Sequence, residues 1–298
     1  MASSSQAFFL ESDAPQGGRR FCMYHPPASM PGNEFPKGLV LYVHPFAEEM
    51  NKSRRMAALQ SHAFAAAGYA VLQMDLLGCG DSSGDFGDAT WAAWIDDLVQ
   101  GCQWLCSSAR WATNSLPTEQ QKPPLWLWGL RVGCLLAAQA ATKIDEPCNF
   151  LFWQAPAAGK PLLQQFLRLK VAGDMLGGQG KSIMEGLRQR LASGSAVEIA
   201  GYMVSAELAT GLEQAILAPP SGSRPSQRLE WFELSTRDDA SLSPVSFQTL
   251  EQWQQAGFSA QSHIVQGSAF WQTSEIEESA DLINATISAL STMTAVHP

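Results

Sequence analysis

The stretch Leu125–Ala140, LWLWGLRVGCLLAAQA, decides the fold of this chain. It begins with large apolar residues, which predict a strand buried on both faces. It ends with small apolar residues that predict a helix. Gly129 and Gly133 stand two residues before and two residues after Arg131, and glycines at such places let a strand turn sharply into a helix. The pattern predicts a strand–turn–helix unit that presents Arg131 at the carboxyl edge of a sheet.

Strand and helix signals alternate on both sides of this unit. Gly38–Val43 and Tyr69–Met74 are apolar, as is typical of buried parallel strands, and Thr90 is placed to cap an amphipathic helix. Leu229–Leu234 and His263–Gln266 predict the last two strands. This alternation predicts an α/β protein with a mainly parallel central sheet and helices on both faces.

Between the middle and the last strands, the pattern from Gly159 to Pro220 is helical, with no strand candidate. We therefore predict a helical cap, residues 159–225, inserted into a core domain formed by residues 1–158 and 226–298. The apolar side chains of this cap are candidates either to line a pocket over the sheet edge or to pack onto the core. They are Phe166, Leu167, Leu169, Val171, Met175 and Leu176.

Composition excludes several classes of function. The formal net charge of −9 argues against a nucleic-acid partner. No apolar run reaches the roughly 18 residues that a membrane-spanning helix needs, and the first residues do not look like a secretory signal, so we expect a cytoplasmic protein. The six cysteines form no CxxC pair and predict buried free thiols rather than a metal site. We expect no metal or cofactor, and the sequence leaves the oligomeric state open.

Three motifs occur in the order found in one superfamily. Gly129–Gly133 has the form G-x-S-x-G with arginine in place of serine, and His44-Pro45-Phe46 follows a buried strand. Asp75–Gly84, DLLGCGDSSG, has the form D-x-x-G-x-G-x-S. Together these motifs resemble the α/β hydrolases, in which the loop at His44 to Phe46 supplies an N–H group of the oxyanion hole. The resemblance implies an α/β-hydrolase fold with an inserted helical cap.

Four longer stretches resemble one branch, the second type of exosortase-A-associated hydrolase. They are His44–Met56, Asp75–Trp91, Leu125–Arg131 and Phe270–Ile276. The resemblance implies a bacterial protein associated with exosortase-linked sorting and exopolysaccharide production. The word hydrolase in the family's name describes the fold and is not evidence of hydrolysis.

A serine hydrolase needs a nucleophile, a histidine base and an acid that orients the base. Arg131 stands at the nucleophile position, and its guanidinium stays protonated in proteins. No histidine follows the last predicted strand, because His263 lies at its beginning. Asp238 and Asp239 occupy the place of the acid. The candidates for a rearranged catalytic group are His44, Asp75 and Cys79.

The elbow also predicts an anion site. Helix N-termini and convergent N–H groups attract anions, and a guanidinium binds carboxylate or phosphate through paired hydrogen bonds. The predicted ligand-binding residues are His44, Phe46, Glu48, Glu49, Arg131 and Val132. In the alternative, Glu48, Glu49 or Asp75 pairs with Arg131 inside the protein. The sequence leaves three functions open: a protein that binds a small anionic or acyl-bearing ligand, an ester or thioester hydrolase or acyltransferase with rearranged residues, and an interaction protein of the exosortase or exopolysaccharide system.

Overall fold

The computed structural model describes residues 4–13, 17–28, 35–107, 122–173, 180–221 and 227–291. The strands in these ranges are β1 Gln6–Glu11, β2 Arg19–His25, β3 Leu39–Val43, β4 Ala70–Met74, β5 Leu125–Leu130, β6 Cys148–Trp153, β7 Val197–Ile199, β8 Tyr202–Val204, β9 Arg228–Ser235 and β10 Ser259–Gln266. The helices are α1 Glu48–Ala66, α2 Trp91–Cys106, α3 Val132–Ala140, α4 Lys160–Gly173, α5 Gly180–Ala192, α6 Ala206–Gln214, α7 Pro244–Gln255 and α8 Ala280–Ser291.

Eight of these strands form one sheet in the order β1-β2-β4-β3-β5-β6-β9-β10. β1 and β2 are antiparallel to their neighbours, and the strands from β4 to β10 along the sheet pair in parallel. The prediction of an α/β-hydrolase fold with a mainly parallel sheet is confirmed. Because parallel strands end at one edge, the loops after β3, β4, β5, β9 and β10 meet at the carboxyl edge of the sheet.

Alternate residues of the central strands pack on opposite faces. On one face, Leu39 and Leu41 of β3 join the core formed with α2 and α3. On the other face, Val40 and Trp126 pack in a core that includes Phe64 of α1 and side chains of α8. This period of two explains why the central strands are apolar throughout, since both faces are covered.

Side-chain caps begin several of the described helices, including α2, α6 and α7, and the cap at Thr90 confirms its prediction. The hydroxyl of Thr90 accepts a hydrogen bond from the Ala93 amide at 3.1 Å at the start of α2. Ser243 caps α7 in the same way, and Pro244 occupies its first turn, where a missing N–H costs nothing.

The segment between β6 and β9 contains α4, α5 and α6, but the prediction that it contains no strand was wrong. β7 and β8 form an antiparallel hairpin. Its turn, Ala200 and Gly201, has positive φ at both residues, which matches the right-handed twist of the flanking strands. Each strand has only three residues, too few for a clear alternating pattern. The cap boundaries at 159 and 225 remain a prediction.

Two other boundaries differ from the predictions. β10 begins at Ser259, four residues before the predicted start at His263, because an edge strand with polar residues shows no apolar run. His263 is thus the fifth residue of its strand and not the first. The pattern from Glu275 to Met293 predicts the last helix, but that helix begins at Ala280.

Candidate functional site

The turn from β5 into α3 holds Arg131 in a strained backbone conformation. Its φ is 55° and its ψ is −118°, in a region that side-chain-bearing residues rarely adopt. A Cβ on Gly129 would lie 2.6 Å from the Cys134 nitrogen, and one on Gly133 would clash with the Val43 carbonyl oxygen. Both glycines are therefore required by close approach of the backbone, as expected for a nucleophile elbow.

The Arg131 side chain is paired inside the protein by one contact. Its Nη2 atom donates to Oε1 of Glu49 at 3.3 Å, and the side chains are 13% and 23% exposed. The guanidinium carbon lies 5.8 Å from the centroid of the Trp271 ring. Among the described residues, the buried Nε of Arg131 and Nε1 of Trp271 have no hydrogen-bond partner. The guanidinium therefore keeps unused donor capacity.

Glu49 lies in the first turn of α1, opposite the elbow. Burial raises the pKa of its carboxyl group, while the charge and hydrogen bond of Arg131 and a hydrogen bond with Gln272 oppose that rise. Of the three acids predicted as internal partners of Arg131, Glu49 is the one that forms the pair. Burial of this kind favours the neutral, protonated form of a carboxyl group.

His44 is buried, and both of its ring nitrogens are occupied. Nδ1 lies 2.8 Å from the carbonyl oxygen of Pro45, and Nε2 lies 3.3 Å from the amide nitrogen of Leu76. These partners indicate a neutral ring that donates from Nδ1 and accepts at Nε2. Burial lowers the pKa of His44. The ring thus fastens the loop after β3 to the loop after β4.

The loop after β4 is held by hydrogen bonds within the loop and by hydrogen bonds to α1 and β2. Oδ2 of Asp75 accepts from Nη2 of Arg54 and from the Asp81 amide, each at 3.1 Å. The Ser82 hydroxyl donates to the Asp75 carbonyl at 2.5 Å and accepts from the Phe21 amide at 2.8 Å. Burial raises the pKa of Cys79 well above that of an ordinary thiol. Asp75 pairs with Arg54 and not with Arg131.

Aromatic side chains of the core and of the 160–214 segment meet around Phe46, in the loop after β3. The Phe46 ring contacts Phe86 and Phe166 edge to face, with centroids 5.5 and 5.1 Å apart. The Tyr202 hydroxyl donates to Glu48 at 2.9 Å, and the Asn51 amide donates to the Tyr202 oxygen at 3.1 Å. Glu48 therefore joins α1 to β8. Val132, also a predicted ligand-binding residue, is buried at the start of α3.

The other apolar residues predicted in the cap differ in their exposure to solvent. Leu167 and Val171 are buried, as the packing alternative expects, whereas Leu169 is exposed to solvent. Met175 and Leu176 lie outside the described residues.

Asp238 and Asp239 lie in the exposed loop after β9. Asp238 accepts a hydrogen bond from the Gln266 amide at 2.9 Å, and Asp239 pairs with Arg237 at 3.2 Å. Their catalytic role remains a prediction. His263 lies on β10, stacked on Phe232, and its Nε2 is 2.7 Å from Oε2 of the buried Glu230.

Two buried contacts near the site were not anticipated from sequence. Arg20 of β2 and Asp97 of α2 form an ion pair at 2.8 Å with both side chains fully buried. Asp97 also accepts a hydrogen bond from the Leu77 amide at 2.8 Å, which anchors the loop after β4. Charged residues that interrupt apolar patterns on β2 and α2 were the available signal. Trp271, whose ring contacts the Arg131 guanidinium, was not predicted as a site residue, although it lies in the stretch Phe270–Ile276 that carries the family resemblance.

Two properties of the described residues bear on membrane spanning and metal binding. No helix there is both long and apolar enough to cross a bilayer. Within the same ranges, histidine, cysteine and acidic side chains nowhere form a group of three that could hold a metal ion.

The sheet order and the elbow between β5 and α3 define the α/β-hydrolase fold. The family described as serine aminopeptidase, S33, matches residues 34–194, more than half of the chain, so the chain belongs to that family. No curated protein matches it in sequence.

Solved structures agree on the fold. A carboxyl esterase from Bacillus coagulans has a TM-score of 0.61 at 13% identity, covering 97% of this chain and 98% of its own. The monoglyceride lipase of Saccharomyces cerevisiae has a TM-score of 0.56 at 13% identity, covering 97% and 94%. A serine hydrolase without a lid from Xanthomonas campestris has a TM-score of 0.55 at 14% identity, covering 100% and 99%.

Proposed function

We propose that this protein is a non-hydrolytic member of its family that binds a small carboxylate or phosphate with an acyl tail through Arg131. The observation that carries the proposal is the guanidinium at the elbow. It is held by one contact of 3.3 Å to Glu49, and its Nε has no partner among the described residues. A carboxylate or phosphate forms paired, charge-assisted bonds with a guanidinium, so it competes well against a single long one.

The same geometry argues against hydrolysis by the usual route. The side chain at the elbow is a permanent cation and cannot attack a carbonyl carbon. His44 is buried, and both its nitrogens have partners within the loops. Cys79 is buried, and its raised pKa keeps the thiol protonated and poorly nucleophilic. These contacts favour ligand binding over a rearranged triad.

Exchange between Glu49 and the ligand is the proposed binding step. An incoming anion takes the Nη2 donor from Glu49 and adds the Nε donor, while the N-terminus of α3 provides a further favourable field. The aromatic rings of Phe46, Phe166 and Trp271 then offer an apolar wall for the tail.

Titration calorimetry with octanoate, octyl phosphate and neutral octanol tests this proposal. We expect the anions to bind the wild type and octanol to bind far more weakly. Because a charge-assisted hydrogen bond contributes about 1.5–3 kcal/mol, Arg131→Ala should weaken anion binding by about 10- to 100-fold. Arg55→Ala is the matched control, since Arg55 also pairs with a carboxylate, Glu278, but lies on the exposed side of α1, away from the elbow.

The proposal fails if wild type and Arg131→Ala respond equally to the anions or if neither responds. Arg131 would then have only a structural role, filling the elbow and pairing with Glu49. Turnover of p-nitrophenyl or thioester substrates by the wild type would instead support an enzyme with rearranged residues.

We further propose that the ligand belongs to the exosortase and exopolysaccharide system. The support is the motif resemblance of His44–Met56, Asp75–Trp91, Leu125–Arg131 and Phe270–Ile276. Replacement of the chromosomal copy by the Arg131→Ala form should alter exopolysaccharide output or protein sorting as a deletion does. Normal output in both strains would remove this link.

A further inference from the structure

The two helices α4 and α5 carry a charge opposite to that of the rest of the molecule. Residues 160–192 contain six Lys or Arg and two Asp or Glu, a net charge of about +4. The remainder of the chain contains 13 basic and 26 acidic residues, a net charge of about −13. A concentration of positive charge on one helix pair of an acidic protein indicates an anionic partner for that surface.

Within the described residues, most basic side chains of this helix pair form no ion pair, whereas several arginines of the core do. In the core, Arg20, Arg54, Arg131 and Arg228 form ion pairs with acids. On α4 and α5, four basic side chains have no ion-pair partner within the described residues: Arg168, Lys170, Lys181 and Arg188. Lys160 pairs with Glu213, and Arg190 donates to the Ala196 carbonyl.

An exposed apolar residue lies among these cations. Leu163, Leu167 and Val171 recur every four residues on α4 and are buried. Leu169 lies two positions from Leu167 and from Val171, which places it on the opposite side of the helix, and it is 52% exposed. Arg168 and Lys170 flank it. A leucine that faces solvent between two cations is suited to enter a lipid interface.

A groove on the same surface has matching chemistry. It has a volume of about 570 Å³, and its lining includes Ile183 and Leu187 together with Lys170 and Arg190. Gly186 lies in this groove, and a Cβ there would meet no atom within 4 Å. The lining of the groove thus combines apolar and basic side chains, which an acyl chain and its anionic head group require.

We propose that the α4–α5 surface docks on an anionic phospholipid bilayer, with Leu169 entering the interface and the unpaired cations contacting head-group phosphates. A soluble polyanion would satisfy the charges and would have no use for the exposed leucine. The proposal does not depend on anion binding at Arg131. Because α4 also packs Phe166 against Phe46, docking here would bring the elbow close to the source of an acyl-bearing ligand.

The test is cosedimentation of the full chain with vesicles of phosphatidylcholine, with and without phosphatidylglycerol. We expect binding to the anionic vesicles only, and less of it as salt rises from about 0.1 M to about 0.5 M. The charge reversal Lys170→Glu with Arg188→Glu should lower the partition coefficient at least tenfold. The control reversal Arg55→Glu with Lys143→Glu changes the net charge equally on exposed core positions and should leave it within about twofold.

Leu169→Ser separates a bilayer from a soluble polyanion. It should weaken vesicle binding severalfold while far-ultraviolet circular dichroism and the melting temperature stay unchanged, because Leu169 is exposed. Arg131→Ala should bind vesicles as the wild type does, so failure of the proposed ligand site and failure of docking are distinguishable. Equal binding to neutral vesicles, equal loss in the control reversal, or tighter binding to heparin that ignores Leu169→Ser would overturn the proposal.

Discussion

The proposed function depends on two side chains, Arg131 and Glu49, which form an ion pair. Arg131 occupies the backbone position from which a serine hydrolase attacks its substrate, with the φ of 55° that this position imposes. Glu49 holds it through a single contact. Each partner would be costly to leave unpaired in a partly buried place. Substitution of either residue therefore also changes the energy of the charge that remains.

Substitution of Arg131 by serine restores the nucleophile without a base. Since a general base contributes about 10²–10⁴-fold and His44 is occupied by loop contacts, Arg131→Ser should hydrolyse p-nitrophenyl acetate no faster than the wild type. A fluorophosphonate probe should label neither protein, with mass spectrometry as the readout. Stoichiometric labelling of the new serine would reveal a base that the structure does not indicate.

Anion binding should depend on pH through Glu49. Burial raises the pKa of this carboxyl group above its ordinary value of 4.5. As the pH falls through the raised pKa, Glu49 takes up a proton, loses its charge and releases the guanidinium. Octyl sulfonate keeps its charge throughout, so its affinity for the wild type should rise as the pH falls.

Glu49→Gln is the matched variant for this effect. It should bind octyl sulfonate more tightly than the wild type at neutral pH, with a flat pH profile, because the amide never competes as an anion. A profile for Glu49→Gln that still rises toward acid pH would assign the titration to another group.

The strand–turn–helix unit determines the position of Arg131. Two glycines, separated by three residues, let β5 and α3 approach the neighbouring loop backbone closely. These glycines could be recognised in the sequence because only glycine satisfies such a turn. The β7–β8 hairpin could not be recognised, since three-residue strands have almost no periodicity.

Gly133→Ala should destabilise the protein. The added Cβ would overlap the carbonyl oxygen of Val43, and overpacking of this kind costs about 1–3 kcal/mol in the free energy of unfolding. Gly186→Ala is the control, because the added Cβ would meet no atom within 4 Å. Gly186 lies in a helix, where replacement of glycine by alanine should raise the free energy of unfolding by about 0.5–1 kcal/mol. Chemical denaturation of both variants measures the difference, and equal effects would contradict the elbow geometry.

At the scale of the whole molecule, one buried ion pair connects distant parts of the chain. Arg20 of β2 and Asp97 of α2 are fully buried, and Asp97 also binds the Leu77 amide. This contact ties the antiparallel edge of the sheet to a helix and to the loop after β4. Its loss should therefore be felt in global stability and not only locally.

Asp97→Ala should lower the free energy of unfolding by about 3–5 kcal/mol, since it leaves the Arg20 charge buried and unpaired. The neighbouring Asp96→Ala is the control. Asp96 pairs with Lys143 at the surface, so its loss should cost at most about 1 kcal/mol. Urea unfolding distinguishes them, and similar values for the two variants would show that the Arg20 charge finds another partner.

The sequence by itself determined the class of fold and the position of the elbow. Apolar strands, caps such as Thr90 and the glycines around Arg131 act over a few residues, so their consequences are readable locally. Only the tertiary structure decided which of three nearby acids pairs with Arg131. Asp75 pairs with Arg54 of α1, Glu48 with Tyr202 of β8, and Glu49 with Arg131 of the β5–α3 turn, and these partners lie 21, 154 and 82 residues away in the chain. Pairing of charges depends on distances of a few ångströms between separate elements, and no local pattern encodes them.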